Sequence, residues 1–274
     1  MSPMLPPTLV SPVFTSGSVW LAGAGPGDPG LLTLYAWHAL SVADVVVHDA
    51  LVSPDILALV TSGRLEEAGK RAGGRQTPQA RINQRLITLA RSGARVLRLK
   101  GGDPLIFGRG GEEALALAAA GIPFRIVPGI SAGVGGTAAA SIPLTHRGLA
   151  RSAAFATGQD AMGGMTGIDW AALSQGAEVL VLYMAGRRLG QIAARLIEAG
   201  RDPDQHVALI QDATRATQTV AVTTLRQAAD QRVSPKPTLI VIGPVVALRG
   251  QLAAWQQSDP MTVFSEPHHA HAAG

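Results

Sequence analysis

The sequence predicts an α/β protein made of two α/β domains, the first built on a mostly parallel sheet and the second on a mixed one. Three observations carry this. Up to residue 127, short apolar runs of Val, Ile and Leu alternate with segments of helical spacing, as βαβ units on a parallel sheet require. Beyond about residue 150, several strand-like runs follow one another with too little chain between them for crossover helices, so antiparallel partners are expected there. The length of 274 residues, with 47% hydrophobic and 15% charged residues, provides for two buried cores.

In chain order, residues 1–15 read as a loose tail. Pro3, Pro6 and Pro7 interrupt it, and it lacks the basic start of a secretory signal. The N-terminal domain is expected over 16–127, with strands at 19–22, 45–47, 96–99 and 124–127 and helices at 29–41, 79–92 and 112–120. Asp28 is placed to cap the first helix, with Pro29 at the first helical position, where its missing N–H does no harm. Residues 128–149 form a connecting segment with a helix of small residues after Pro128-Gly129. The stretch 126–145 carries no charge over twenty residues, but Pro128, Pro143 and its many Gly and Ala fit a buried helix better than a membrane span. The C-terminal domain is expected over 150–252, with strands at 153–157, 179–184, 207–210, 219–222 and 239–242 and a helix at 187–199 stopped by Gly200. Residues 253–274 lose periodicity and read as a second loose tail, in which His268, His269 and His271 make a polar end rather than a metal site.

Composition removes several functions. The formal charge of +4 comes from 23 Lys and Arg against 19 acids, scattered without a dense basic run, and aromatics are only 4%. That suits an anionic ligand and argues against nucleic acid, which needs basic patches interleaved with stacking rings. With no cysteine there is no disulfide framework, thiolate metal site or Cys nucleophile. A soluble, cytoplasmic protein without a metal is expected.

The chemistry is expected in loops at the carboxyl ends of the first-domain strands, where open α/β sheets bind ligands. Gly23-Ala24-Gly25-Pro26-Gly27-Asp28-Pro29-Gly30 follows the first strand and satisfies the G-x-G-x-x-G spacing of dinucleotide folds, with Asp44 downstream for a ribose. An NAD-dependent oxidoreductase is therefore one reading. Against it, Pro26 and Pro29 remove N–H donors from a loop that would have to cradle a pyrophosphate. The run Leu99-Lys100-Gly101-Gly102-Asp103-Pro104-Leu105-Ile106-Phe107-Gly108-Arg109-Gly110-Gly111-Glu112-Glu113 is richer still, with glycines that admit a ligand close to the backbone and Asp103 as an acceptor. Asp49 ends the second strand in the same row, either as a turn cap or as a site carboxylate. Lys70 and Arg71 are either solvated or partners for substrate carboxylates. The segments Pro128-Gly129-Ile130-Ser131-Ala132 and Ile142-Pro143-Leu144-Thr145-His146-Arg147 flank the small-residue helix.

These runs resemble the uroporphyrinogen-III C-methyltransferases of the tetrapyrrole methylase superfamily. Gly101-Gly102-Asp103-Pro104 is similar to the whole superfamily, whereas 107–113 and 143–147 are closer to the uroporphyrinogen-III enzymes. The matching stretches lie between Val19 and about Leu248, at 23–34, 45–55, 69–73, 95–113, 121–132 and 141–147. The resemblance implies a tetrapyrrole methylase-like fold and transfer of methyl groups from S-adenosylmethionine (SAM) to C2 and C7 of uroporphyrinogen III, giving precorrin-2 on the route to sirohaem and cobalamin. A related precorrin or diphthine methylase is the alternative. It also implies a homodimer, SAM contacts at Pro26, Gly101, Gly102, Asp103, Ile106, Ser131, Ala132, Met184 and Ala213, Asp49 as proton acceptor and Lys70 as proton donor. The octacarboxylate substrate needs cations, for which Arg71, Arg109, Arg147 and Arg151 are the candidates. The chain departs from the family at His48-Asp49-Ala50-Leu51, where Tyr-Asp-Arg-Leu is common, and at Ala213-Thr214, where Gly-Thr is common.

Overall fold

The computed structural model describes residues 12–68, 78–158, 167–230 and 237–256. Two five-stranded sheets organise them. The first contains β1 (Val19–Gly23), β2 (Val45–His48), β3 (Arg64–Glu67), β4 (Val96–Lys100) and β5 (Phe124–Val127), all parallel, in the order β3-β2-β4-β1-β5. β1 and β4 lie in the middle and are buried along their whole length, as expected of a parallel sheet covered on both faces. On one face Trp20, Ala22, Leu97 and Leu99 pack with Ala36, Leu40 and Ile56 from α1 (Leu34–Val42) and α2 (Pro54–Leu57). On the other, Val19, Leu21, Val47 and Val96 meet Leu86 of α3 (Gln79–Arg91) and Leu117 of α4 (Gly110–Ala119). Because the strands are parallel, the loops after Gly23, His48, Lys100 and Val127 all emerge at one edge.

The second sheet contains β6 (Ala153–Thr157), β7 (Val179–Tyr183), β8 (His206–Gln211), β9 (Thr219–Thr224) and β10 (Thr238–Ile242), ordered β6-β7-β10-β8-β9. Only β6 and β7 run parallel, so the sheet is mixed. One face is closed by Leu189, Ile192 and Leu196 of α7 (Leu189–Glu198) and by Leu225 and Trp170, which lie on α8 (Leu225–Asp230) and α6 (Trp170–Gly176). The other face packs Val179, Val181, Ile210 and Val241 against Ala140, Ile142, Val245 and Val246. The small-residue helix α5 (Ala132–Ala139) lies against β7 and β10.

The elements differ from expectation where local chemistry overrides the apolar pattern. The first helix is broken: Pro29–Leu31 forms a 3-10 turn under the Asp28 cap, Leu32 is extended, and the Thr33 hydroxyl, accepting from the Ala36 N–H, starts α1 afresh. Similarly, Gly186–Arg188 is a 3-10 turn ahead of α7. β3 was not expected; its Arg-Leu-Glu-Glu sequence is an exposed edge without an apolar pattern and is held by pairing with β2. α2, α6 and α8 are too short to show a helical period, and α9 (Arg249–Gln256) extends past the point where the sequence pattern fades. Lys70, Arg71 and the C-terminal histidines lie outside the described residues. Among those described, no helix is long and apolar enough to cross a membrane.

Candidate active site

The edge at which the first-sheet strands end is a crossing of bare backbone. A Cβ on Gly23 would lie 2.3 Å from the Gly102 carbonyl oxygen and 2.6 Å from the Gly129 Cα, and one on Gly129 would lie 2.2 Å from the same oxygen. Only glycine permits the loops after β1, β4 and β5 to meet in this way. Gly25 and Gly102 exchange N–H···O bonds of 3.1 and 2.8 Å across the crossing. Gly102 has φ +67°, and its α-carbon faces Ser131 and Ala132 at van der Waals distance for an added Cβ. Asp103, read from the sequence as an acceptor for the ligand, also braces the crossing: one carboxylate oxygen accepts from the Leu105 N–H at 2.8 Å and the other from the Gly129 N–H at 3.0 Å. Each oxygen retains a second lone pair.

The first glycine loop does not cradle a diphosphate. The Ala24 N–H donates to the Lys100 carbonyl, Gly25 to Gly102, Asp28 to the Thr214 hydroxyl and Gly30 to the Asp28 carboxylate, while Pro26 and Pro29 have no N–H. Asp44, the ribose candidate of the dinucleotide reading, precedes β2 at the far end of the sheet, where Arg95 holds it with side-chain bonds of 2.7 and 3.0 Å. Arg95 also depresses the Asp44 carboxyl to about 2.

Beneath the crossing lies a cluster of buried charge. Arg98 and Lys100 alternate with Leu97 and Leu99 on β4, so both point to the α3–α4 face. Arg98 Nη2 donates to Asp49 Oδ1, and Lys100 Nζ is 3.5 Å from Asp49 Oδ2. Glu113, completely buried on α4, accepts from Arg98 Nε at 3.1 Å, Lys100 Nζ at 3.1 Å and Gln79 Nε2 at 3.0 Å. Burial and the neighbouring Arg98 push the Lys100 ammonium below the usual lysine range, opposed by Asp49 and Glu113. Asp49 alone of the four keeps substantial exposure, 31% of its side chain. Asp49 was expected here from the sequence, whereas Arg98 and Glu113 were not. Two basic residues two apart in an otherwise apolar central strand were the available signal.

The second sheet supplies the opposite wall. The Tyr183 hydroxyl, at the end of β7, lies 2.6 Å from the Ser131 hydroxyl and accepts from the Gly133 N–H at 2.7 Å, fixing the start of α5. Its ring contacts Phe107, 4.9 Å between centroids, and burial raises its hydroxyl pKa. Met184 follows with φ +52° and an exposed side chain, and Phe107 has φ +51°. Asp212 and Thr214, either side of Ala213, also adopt positive φ. Strained conformations of this kind gather at ligand sites. The Ala213 methyl is accommodated by Gly136, whose own Cβ would come within 2.9 Å of it. Arg215 packs on Gly27 and donates to the Leu51 carbonyl at 3.0 Å, tying this loop to those after β1 and β2. Gly101 approaches Leu51, and Pro26 approaches Gly135 of α5.

These contacts gather Pro26, Asp49, Gly101, Gly102, Asp103, Ser131, Ala132, Met184 and Ala213 around the loops that join the two sheets, and Ile106 is part-exposed on the loop after Asp103. Arg109 stands at the start of α4 with φ +60° and a bidentate pair to Glu112 at 2.8 and 2.7 Å. Arg151 is not brought there. It pairs with Glu178, which precedes β7, while Tyr183 ends that strand some five residues, or about 16 Å, away. Arg147 is exposed on the turn closed by His146 and Ala150, also ahead of β6.

Comparison with known proteins identifies the family. Residues 18–229 match the family model of the Tetrapyrrole (Corrin/Porphyrin) Methylases. The chain belongs to the tetrapyrrole methylases. This tetrapyrrole methylase is 53% identical over 247 residues to a uroporphyrinogen-III C-methyltransferase of Sinorhizobium sp, covering 88% of each chain. It is 49% identical to siroheme synthase 1 of Yersinia enterocolitica over 90% of its own length but only 52% of that protein, so it spans about half of the siroheme synthases it matches. Its fold superposes on uroporphyrin-III C-methyl transferase from Thermus thermophilus, solved with S-adenyl homocysteine, with a TM-score of 0.75, 38% identity, and coverage of 84% of this chain and 99% of that one.

Proposed function

We propose that this tetrapyrrole methylase is a SAM-dependent C-methyltransferase that methylates uroporphyrinogen III at C2 and C7, giving precorrin-2. The observation that carries the proposal is the glycine crossing of Gly23, Gly102 and Gly129, beside which the Ala24, Gly25, Asp28 and Gly30 N–H groups are already bonded inside the protein. It leaves bare backbone beside a cleft and no phosphate cradle, which fits a nucleoside with a sulfonium rather than a dinucleotide. Identity of 53% to the Sinorhizobium protein favours uroporphyrinogen III over the substrate of cobalt precorrin-4 methyltransferase, a structure only 25% identical with a TM-score of 0.74.

When bound, SAM supplies an electrophilic methyl group on a sulfonium that leaves as a neutral thioether. Pro26, Gly101, Gly102, Asp103, Ile106, Ser131, Ala132, Met184 and Ala213 would hold it. The exposed apolar side chains of Leu51, Leu105, Ile106, Phe107 and Met184 give the macrocycle a dry surface, and holding both reactants there supplies much of the acceleration. The methylated macrocycle must shed a proton. Asp49 accepts it, presenting its carboxylate to the cleft while Arg98 and Lys100 hold it from below. Lys70 is assigned as proton donor, and Arg71 and Arg109 grip substrate carboxylates. The active form is assigned as a cytoplasmic homodimer, which would cover the exposed Phe124 and Ile126 of the edge strand β5. The test is calorimetry followed by turnover. S-adenosylhomocysteine should bind at micromolar levels and NAD should not, and radiolabelled methyl should pass from SAM to uroporphyrinogen III. Tight NAD binding without SAM binding would sink the proposal.

A further inference from the structure

The charge cluster under Asp49 contains more than the proposed reaction uses. Arg98, Lys100 and Glu113 have side chains 2%, 3% and 0% exposed. Burying three ionised groups is costly, and an apolar trio of similar volume would usually be as stable or more so, so packing alone does not account for them. The connectivity is directional. Each cation touches both carboxylates: Glu113 Oε1 receives Arg98 Nε and Lys100 Nζ from behind, and Asp49 meets the same two side chains at the cleft. Gln79 of α3 donates to the same Glu113 oxygen, and the other Glu113 oxygen accepts no hydrogen bond among the described residues. Among the described residues, His48 lies beside Asp49, its Nδ1 3.2 Å from the Asp49 carbonyl oxygen, while Arg109 acts through space on Glu113 and Glu112 on Lys100.

We propose that Glu113 is a positioning residue for the Asp49 carboxylate, acting through Arg98 and Lys100. This rests on Asp49 being the proton acceptor. Two cations are shared between two carboxylates, and Glu113 anchors the Arg98 guanidinium and the Lys100 ammonium from behind, so that Asp49 is held in one orientation at the cleft. Without the Glu113 carboxylate neither cation is held from behind, and the Asp49 side chain loses its fixed partners. Glu113 and Asp49 together oppose the burial that lowers the Lys100 pKa.

The test is steady-state kinetics on the full-length protein with melting temperatures recorded beside it. Glu113→Gln should cut kcat by roughly tenfold at unchanged KM for both substrates, and Glu113→Asp, which keeps the charge, should retain more of it. Lys100→Met should also lower kcat at unchanged KM, and the double variant should lose no more than the worse single, because both act through one contact with Asp49. A merely structural role would lower the melting temperature and leave kcat of the folded protein in place. An unchanged kcat in Glu113→Gln overturns the proposal. If that variant does not fold, Glu113→Asp decides, with wild-type kcat and KM for the shortened carboxylate counting against the proposal. Full turnover by Asp49→Asn would overturn the acceptor role separately.

Discussion

Gly129→Ala puts a single methyl into the tightest contact of the cleft. Its Cβ would lie 2.2 Å from the Gly102 carbonyl oxygen, 2.6 Å from the Gly23 Cα and 2.9 Å from the Gly23 carbonyl carbon. All three are backbone atoms, so no side chain can swing aside, and the loops must separate by about 1 Å to restore ordinary contact. Overpacking of this kind costs about 1–3 kcal/mol, which lowers the melting temperature of a chain this size by roughly 2–10 °C. The same displacement moves Gly102 away from Ser131 and Ala132, so S-adenosylhomocysteine affinity should fall by tenfold or more, on the order expected when a positioning group shifts by about 1 Å. Gly111→Ala is the control: a Cβ there meets nothing within 4 Å, and Gly111 is helical. It should raise stability by about 0.5–1 kcal/mol and leave binding alone. Thermal denaturation and calorimetry read both quantities. If Gly129→Ala melts within about 1 °C of wild type and binds the ligand unchanged, the crossing does not shape the cofactor site.

Gly102→Val adds a branched side chain at φ +67°, a conformation that such residues avoid, and should weaken cofactor binding with the fold retained, checked by calorimetry beside circular dichroism. Asp49→Asn preserves shape and removes the accepting charge, so turnover should fall by roughly a hundredfold or more with cofactor affinity little changed. Lys70→Met should lower kcat at saturating tetrapyrrole if Lys70 donates a proton; a salt-sensitive rise in KM alone would make it a substrate-gripping cation. Asp44, held at about 2 by Arg95 against an ordinary 3.8, has a depressed folded-state pKa. Its contribution to stability is therefore complete above its unfolded value and lost as pH falls through about 2. Urea midpoints of wild type and Asp44→Asn should differ near neutrality and converge toward that pH, and a constant offset would contradict the pairing.

Much of the framework was legible because parallel strands buried on both faces read as continuous apolar runs, as at Val19 to Ala22 and Val45 to Val47. The row of ligand loops followed from it, since the glycine runs stand where those strands end. Three kinds of feature were not legible. β3 is an exposed polar edge whose pairing is made by backbone alone. The reciprocal role of Asp103, bonded to Leu105 and Gly129, depends on a loop 26 residues away in sequence. Arg151 stands close in sequence to the His146-Arg147 segment of the resemblance, but it leads into β6 and so joins Glu178 at the end of the second sheet away from Tyr183. Arg98 and Glu113 lay in plain view, but only the packing of α4 against β4 shows that they share buried space beneath Asp49.

The central claim is that this cleft transfers two methyl groups from SAM to carbon atoms of uroporphyrinogen III. It is tested most directly by incubating the purified protein with uroporphyrinogen III and methyl-13C SAM under anaerobic conditions and recording the product's 13C NMR spectrum. Two labelled methyl resonances on quaternary carbons, at C2 and C7, with two equivalents of S-adenosylhomocysteine released, are the predicted result. An unlabelled macrocycle, or label found only on oxygen or nitrogen, would contradict it.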